Sequence, residues 1–326
     1  MRGIALDAAG ELELTTGLSE PVTRPGEVKI KVLAGGVCGS DLHSIASKVA
    51  RPSSPWTIGH EGGGVVVEVG DDVTGLSVGD LVVVEPNFVC RMCEFCLSGR
   101  SNVCVRRTVV GAHVPGIFAE RVAVPAAFAW KLPAGTPKNV MATVEPTVVA
   151  YRAVDRYLPT SARNVLVVGA GSQGLSVVQR LVARGLTPAV SEPSEENRST
   201  ALSEGARDVA DDPAELFDLV FETSGAAGGY TTALDRAQKM AQICLIGQPT
   251  GAVPTDVRRV VQLELNIQGH VIYNHPHDFG NVIKEYVEHP SEVGLREPVG
   301  PGQAVRDILD ARALPGKIVI DLEDWD

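Results

Sequence analysis

Four cysteines, Cys90, Cys93, Cys96 and Cys104, crowd into fifteen residues in the pattern C-x2-C-x2-C-x7-C. Four thiolates in one loop can surround a tetrahedral zinc with no open position, so such an ion would hold the loop in shape rather than meet a substrate. The alternatives are two disulfides or an iron–sulfur cluster. Disulfides fit poorly with the intracellular reading given below, and ferredoxin spacing is matched only loosely. Cys244 lies inside an apolar run and reads as a core thiol.

A second set of donors has mixed chemistry. Gly36–His43 contributes Cys38, Ser40 and His43, and Gly59–Gly62 contributes His60 and Glu61. A thiolate, an imidazole and a carboxylate suit a zinc ion that keeps a place for water or substrate. Alone, each residue reads blandly, as a core thiol or a hydrogen-bonded histidine.

A third pattern concerns phosphate. Val165–Val168 runs into Gly169-Ala170-Gly171-Ser172-Gln173-Gly174, a G-x-G-x-x-G that opens a helical stretch. Gly169 permits the tight turn, Gly171 lets a pyrophosphate approach the backbone, and Gly174 lets the helix pack on the strand. Phosphates would then rest on the helix N-terminus. Glu192 ends the next strand, eighteen residues past Gly174. A carboxylate there accepts from ribose hydroxyls and repels a 2′-phosphate, which favours NAD over NADP. Arg198 tempers that preference, because it could turn onto a phosphate. Thr223 and Ile246 complete the candidate cofactor contacts.

The elements that must position these groups follow from periodicity. Before Ala142 the chain is β-rich, with strands expected over Glu27–Val32, Val65–Val69 and Leu81–Val84 between Gly- and Asp-marked turns. After it, strands and helices alternate. Strands are expected over Asn164–Val168, Pro188–Ser191, Asp218–Glu222 and Gln242–Ile246, and helices over Ser172–Arg184, Glu195–Glu204 and Gly229–Met240. That order implies a parallel sheet covered on both faces. A further strand is expected over Lys317–Leu322. A helix is expected around Val144–Leu158, with Pro146 starting or kinking it, and the domain join falls there.

The chain has 326 residues, 44% of them hydrophobic and 21% charged, with formal net charge −11. That length and balance fit two globular domains and exclude wholesale disorder. The acidic balance argues against a nucleic-acid or anionic-membrane surface. No apolar run reaches the ~20 residues of a membrane helix. Asp7 falls where a signal peptide needs its apolar stretch, so a cytoplasmic chain is expected.

Taken together, GVCGSDLH, GHEGGG, the four-cysteine lobe and VVGAGSQG, in this order, resemble the zinc-containing medium-chain alcohol and polyol dehydrogenases over nearly the whole chain. The resemblance implies an α/β fold. A GroES-like β-rich catalytic domain (1–146, with a structural zinc lobe at about 88–106) would precede a doubly wound Rossmann domain (147–275), and 276–326 would return to the catalytic part, with the active site in the cleft between them. It implies two zinc ions per subunit. Cys38, His60 and Glu61 would be ligands or near-ligands of the catalytic one. Glu145 would be a further acidic ligand, direct or through water, as in the sorbitol and threonine dehydrogenase branch. Another reading of Glu145 is a helix-start carboxylate before Pro146.

By the same resemblance, zinc would lower the pKa of a substrate alcohol, and hydride would pass to NAD. Ser40 would take the hydroxyl proton and pass it by way of the cofactor ribose to His43. Ser40 also reads as the N-cap of a helix beginning near Asp41, and His43 as a solvated helix residue. Some positions depart from the family. Ile272 stands where sorbitol dehydrogenases have an Arg, and Met240-Ala241-Gln242 replaces a usual Gly-Gly. Trp56, His113 and Asn274 are expected in the pocket wall, and their polar tips point to a hydroxylated substrate. His275-Pro276-His277 is read as an exposed loop. The expected activity is hydride transfer between NAD and a secondary alcohol or ketone of a polyol, sugar derivative or aminocyclitol. The alternatives are an NADPH-dependent ketone or aldehyde reductase, or a non-catalytic dinucleotide-binding protein. The family implies a homodimer or homotetramer.

Overall fold

The computed structural model describes residues 1–48, 51–159, 164–288, 294–310 and 316–325. Two compact units emerge: residues 1–145 with 274–326, and residues 146–273. No helix among the described residues is long and apolar enough to cross a membrane.

The first unit is built on an antiparallel sheet that curls into a GroES-like half-barrel. Its strands run in the order Ala129–Lys131, Leu81–Val84, Glu61–Val69, Glu27–Gly36 and Val319–Asp321, and Arg121–Pro125 also pairs with Glu27–Gly36. Val28, Ile30 and Val32 alternate into the core at 0–1% exposure, as the period of two requires. The strand beginning at Glu61 carries three successive glycines for a steric reason. A Cβ on Gly62, Gly63 or Gly64 would come within 2.3, 2.1 or 1.9 Å of a neighbouring strand's carbonyl oxygen. This places Glu61, the last side chain before the glycines, at the end of the ladder opposite Gly36. The C-terminal strand then pairs Val319 with Gly36, so the end of the chain lies against the segment that carries Cys38.

The second unit is a parallel Rossmann-like sheet. Its strands run in the order Arg207–Asp208, Ala189–Ser191, Val165–Val168, Phe217–Glu222, Ala237–Leu245 and Asn266–Gly269. Val165 and Val167 pack with Val177, Val178 and Leu181 on one face. Leu166 and Val168 pack with Phe217, Val220 and Ala233 on the other. Both faces are covered, which explains the unbroken apolar run before Gly169.

Two expected elements change. The helix expected near Val144 begins earlier and spans Lys138–Tyr157, with Pro146 inside it. Val140, Met141, Ala142 and Val144 are all at most 2% exposed, so burial of an apolar face carries the helix past its proline. The helix expected over Gly229–Met240 stops at Asp235, and a strand runs from Ala237 to Leu245. Pairing of Phe217 with Ala237 draws the chain into the sheet, and Ala237 and Ala241 are fully buried there. Met240, the first residue of the Met240-Ala241-Gln242 stretch, takes a positive φ of 63° and stays exposed.

Two outcomes are expected. A Cβ on Gly174 would meet the Gly169 carbonyl oxygen at 2.0 Å. Gly174→Ala should therefore destabilise the chain by about 2 kcal/mol in denaturant titration, through overpacking of a turn that cannot retreat. Burial, with the charge of Arg152 nearby, holds His270 down to about 4 from 6.5. Below pH 6.5 the unfolded chain binds a proton that the folded ring refuses until about pH 4, so stability falls with pH across that window. His270→Gln should lose less stability than the native chain between those two pH values, by up to about 3 kcal/mol; equal losses would contradict this.

Candidate metal and coenzyme sites

Cys38, His60 and Glu61 each place a donor atom within 4.8 Å of the other two. Local structure explains why. Cys38 is the N-cap of the helix Gly39–Ala46, and Asp41 in its first turn accepts the Cys38 backbone N–H on Oδ2 at 3.1 Å. The other Asp41 oxygen lies 3.1 Å from His60 Nδ1. One buried carboxylate therefore fixes both the cysteine and the histidine, and leaves the second ring nitrogen of His60 uncommitted to Asp41. Burial works against a charged His60 ring, yet Asp41 and Cys38 raise its pKa well above the ordinary value. An environment that holds a proton so strongly also fits a divalent cation. The N-cap role expected for Ser40 thus belongs to Cys38. Ser40 and His43 lie on the same helix, three residues apart and exposed.

Glu61 is 1% exposed and pairs with the ammonium of Lys317. Lys317 also donates to the Val37 carbonyl at 3.3 Å. Burial opposes its charge, but Glu61, Cys38 and Glu145 outweigh that and hold the ammonium above its usual pKa. Glu145 is buried and acts on Lys317, but stands outside the 4.8 Å group of donors. Gly36 is required beside them, because a Cβ there would lie 2.8 Å from both Glu61 Oε2 and the Lys317 side chain.

The four-cysteine loop forms a second donor cage. Its sulfurs are free thiols. They stand 3.5 Å (Cys93–Cys96, Cys90–Cys104), 3.9 Å (Cys93–Cys104) and 4.0 Å (Cys90–Cys96) apart. A disulfide needs ~2.05 Å. Zinc at ~2.3 Å from each of four tetrahedral sulfurs needs edges of ~3.8 Å. The cage therefore has the size of a zinc site. Backbone N–H groups favour the thiolates of Cys90 and Cys93, while burial and the other sulfurs push Cys96 up to about 12. A divalent cation would relieve that last cost.

His275 corrects the expectation of an exposed loop. Its side chain is 6% exposed, and its Nδ1 lies 2.9 Å from Glu85 Oε2, which also accepts the Trp130 indole N–H at 2.7 Å. The ring stacks on Phe128 with centroids 4.4 Å apart. His277 does stay exposed, at the start of a helix. The backbone of His275 is tied to Ser101, and Asn274 Oδ1 accepts the Asn102 N–H at 3.2 Å. This segment therefore braces the loop between Cys96 and Cys104. Asn274 Oδ1 is thereby engaged within the protein. So is the indole N–H of Trp56, which donates to the Gly111 carbonyl at 2.9 Å. His113 is exposed and accepts the Val109 N–H.

In the second unit, Gly169 has φ 91° and Gly171 is the N-cap of the helix Ser172–Ala183. Glu192 accepts the Ala170 N–H at 2.7 Å and the Ser194 N–H at 2.8 Å. The Thr223 hydroxyl donates to the carbonyls of Val168 and Gly169, both at 3.0 Å. Gln173 donates to the Pro146 carbonyl, Ser172 is half-buried and Ile246 is buried. A cavity of about 790 Å³ opens beside Gly169, Glu192, Arg198 and Ser224. That is ample for an adenosine group, and the N–H groups at the helix start suit phosphate.

Comparison with known proteins now adds to this geometry. Residues 24–134 match the alcohol dehydrogenase GroES-like domain. The L-threonine 3-dehydrogenase of Pyrococcus furiosus is 36% identical over 262 residues, 74% of either chain. The galactitol-1-phosphate dehydrogenase of Escherichia coli superposes with a TM-score of 0.88 at 27% identity, over 98% of this chain and 100% of that one. A cobalt- and zinc-bound alcohol dehydrogenase from Pyrobaculum aerophilum gives the same TM-score and identity, over 98% and 99%. The chain belongs to the zinc-containing medium-chain alcohol and polyol dehydrogenases. It is an oxidoreductase.

Three residues of this dehydrogenase escaped the sequence reading. Lys317 and Asp41 surround the mixed-donor set. Glu222 is 2% exposed at the end of its strand and accepts the N–H groups of Ser224 and Gly225 at 2.9 and 3.2 Å. Burial raises its carboxyl pKa against those bonds. A charged residue closing an apolar strand was the available signal for Glu222. Lys317→Met should strand Glu61 without its counter-charge and cost about 3–5 kcal/mol. The double variant Lys317→Met/Glu61→Gln should recover most of that loss in thermal or denaturant unfolding; an additive double variant would contradict the pairing.

Proposed function

We propose that this chain is an NAD-dependent zinc dehydrogenase that transfers hydride between NAD and a secondary alcohol or ketone of a polyol, sugar derivative or aminocyclitol. The observation that carries the proposal is the gathering of Cys38, His60 and Glu61 within 4.8 Å, with the carboxylate of Glu61 paired to Lys317. One sulfur and one imidazole would hold a divalent ion, and a carboxylate retained by an ammonium would leave a ligand position for substrate oxygen. Zinc at this place would supply Lewis acidity, lowering the pKa of an alcohol or polarising a carbonyl. The four-cysteine cage would take a second, structural zinc.

The chain's own residues do the remaining work. Asp41 orients His60 through Nδ1, which fixes its tautomer and keeps the other nitrogen for metal. Ser40 and His43, exposed and one helical turn apart, are suited to accept the hydroxyl proton and release it to solvent. Glu192 stands ready for adenosine ribose hydroxyls. Each of its oxygens already accepts one backbone N–H, which leaves a second lone pair on each. The acid at Glu145 supports a polyol-like substrate class, as does a relative named for galactitol 1-phosphate, while relatives named for threonine support a secondary alcohol.

Cys38→Ser and His60→Ala should bind NADH within about twofold of the native affinity. Both should lose turnover by at least about a hundredfold on any active alcohol found by screening polyols, deoxy-inositols and amino alcohols. Native turnover in either variant, or in zinc-depleted protein, would overturn the proposal.

A further inference from the structure

Glu192 is not the only charged residue at the candidate coenzyme cavity. Arg198, on the helix Glu195–Ser203, sits at the edge of the 790 Å³ cavity that also exposes Glu192 and Asp208, and these three are the charged residues lining it. An arginine at such a place is the natural partner of a phosphate, since its fork of donors matches phosphate oxygens. Here two of its three nitrogens are already engaged. Its Nε lies 3.3 Å from Asp208 Oδ2, and one terminal nitrogen donates to the Glu192 backbone carbonyl at 2.9 Å.

The clamp is built by the sheet. Asp208 ends the edge strand Arg207–Asp208, whose register sets it beside Val190, two residues before Glu192. Its other oxygen, Oδ1, accepts the Ala210 N–H at 2.9 Å, so the carboxylate is held from behind while Oδ2 faces the guanidinium. Two carboxylates and one guanidinium leave the cavity with one net negative charge. A ribose carrying a 2′-phosphate would meet repulsion from Glu192 and find the one cation in the lining paired to Asp208.

We propose that Asp208 is a specificity-determining residue: by holding Arg198, it denies a 2′-phosphate its cation and so enforces the choice of NAD. The inference rests on the NAD reading above. It reaches further in one respect. Glu192 is not the sole gate, and releasing Arg198 should admit NADP even with Glu192 intact.

The test compares two probes that differ only by the 2′-phosphate, 5′-AMP and adenosine 2′,5′-bisphosphate, by isothermal titration calorimetry on the full-length protein. The native chain should bind 5′-AMP more tightly. Asp208→Asn keeps an oxygen for the Ala210 N–H and removes the charge that holds Arg198. It should strengthen bisphosphate binding by about tenfold or more while leaving 5′-AMP within about twofold. Asp208→Asn/Arg198→Gln should lose that gain. The same variants should shift NADP relative to NAD in parallel. Bisphosphate affinity unchanged within about twofold in Asp208→Asn, with 5′-AMP still bound, would overturn the clamp and leave the coenzyme reading intact. If the native chain binds neither 5′-AMP nor NAD, the coenzyme reading itself fails, and the clamp with it.

Discussion

Anionic donor atoms repel one another, and a protein interior can gather them only where positive charge compensates. This constraint shapes the first unit twice. In the cysteine loop, four sulfurs converge, and burial together with the neighbouring sulfurs pushes Cys96 up to about 12. Around Cys38 the solution is different. Lys317 lies fully within the protein and answers Glu61, Cys38 and Glu145 together. A closed cage of four sulfurs suits a permanently bound ion. A cluster that carries its own ammonium suits an ion that keeps an exchangeable position.

The fold serves that arrangement. The glycines after Glu61 let two strands close on the Glu61–Val69 strand, and the pairing of Val319 with Gly36 delivers Lys317 to the same place. The second unit meets its charge problem through backbone donors instead. Glu192, just past the strand Ala189–Ser191, and Glu222, at the end of Phe217–Glu222, stand on the two strands that flank Val165–Val168 in the parallel sheet, and both accept N–H groups from the turns that follow strands. Buried or half-buried carboxylates thereby become braces for the loops around the cavity.

What the sequence made legible was local. The cysteine spacing, the glycine turn with its flanking strand and helix, and the acid at Glu192 all lie within single stretches, so their chemistry follows from spacing alone. The alternating pattern gave the parallel order of the second unit for the same reason. Groups that meet through tertiary structure stayed hidden. Lys317 reads as one cation before an apolar strand until pairing with Gly36 carries it to Glu61. His275 reads as a polar loop residue until Glu85 and Phe128 enclose it. Met240 and Pro146 show propensity losing to burial. The chain continues a helix through a proline, and ends another before Met240, because alanines and valines must be covered.

Zinc K-edge X-ray absorption on the protein as purified, with metal content measured on the same sample, tests the central claim directly. If the two donor sets hold two ions, five sulfurs serve both: four in the loop and one from Cys38. The spectrum should then fit about two and a half sulfurs per zinc, with nitrogen and oxygen completing the average shell. Adding an alcohol should change only the nitrogen and oxygen part. A single zinc per chain with four sulfurs, indifferent to alcohol, would contradict the account.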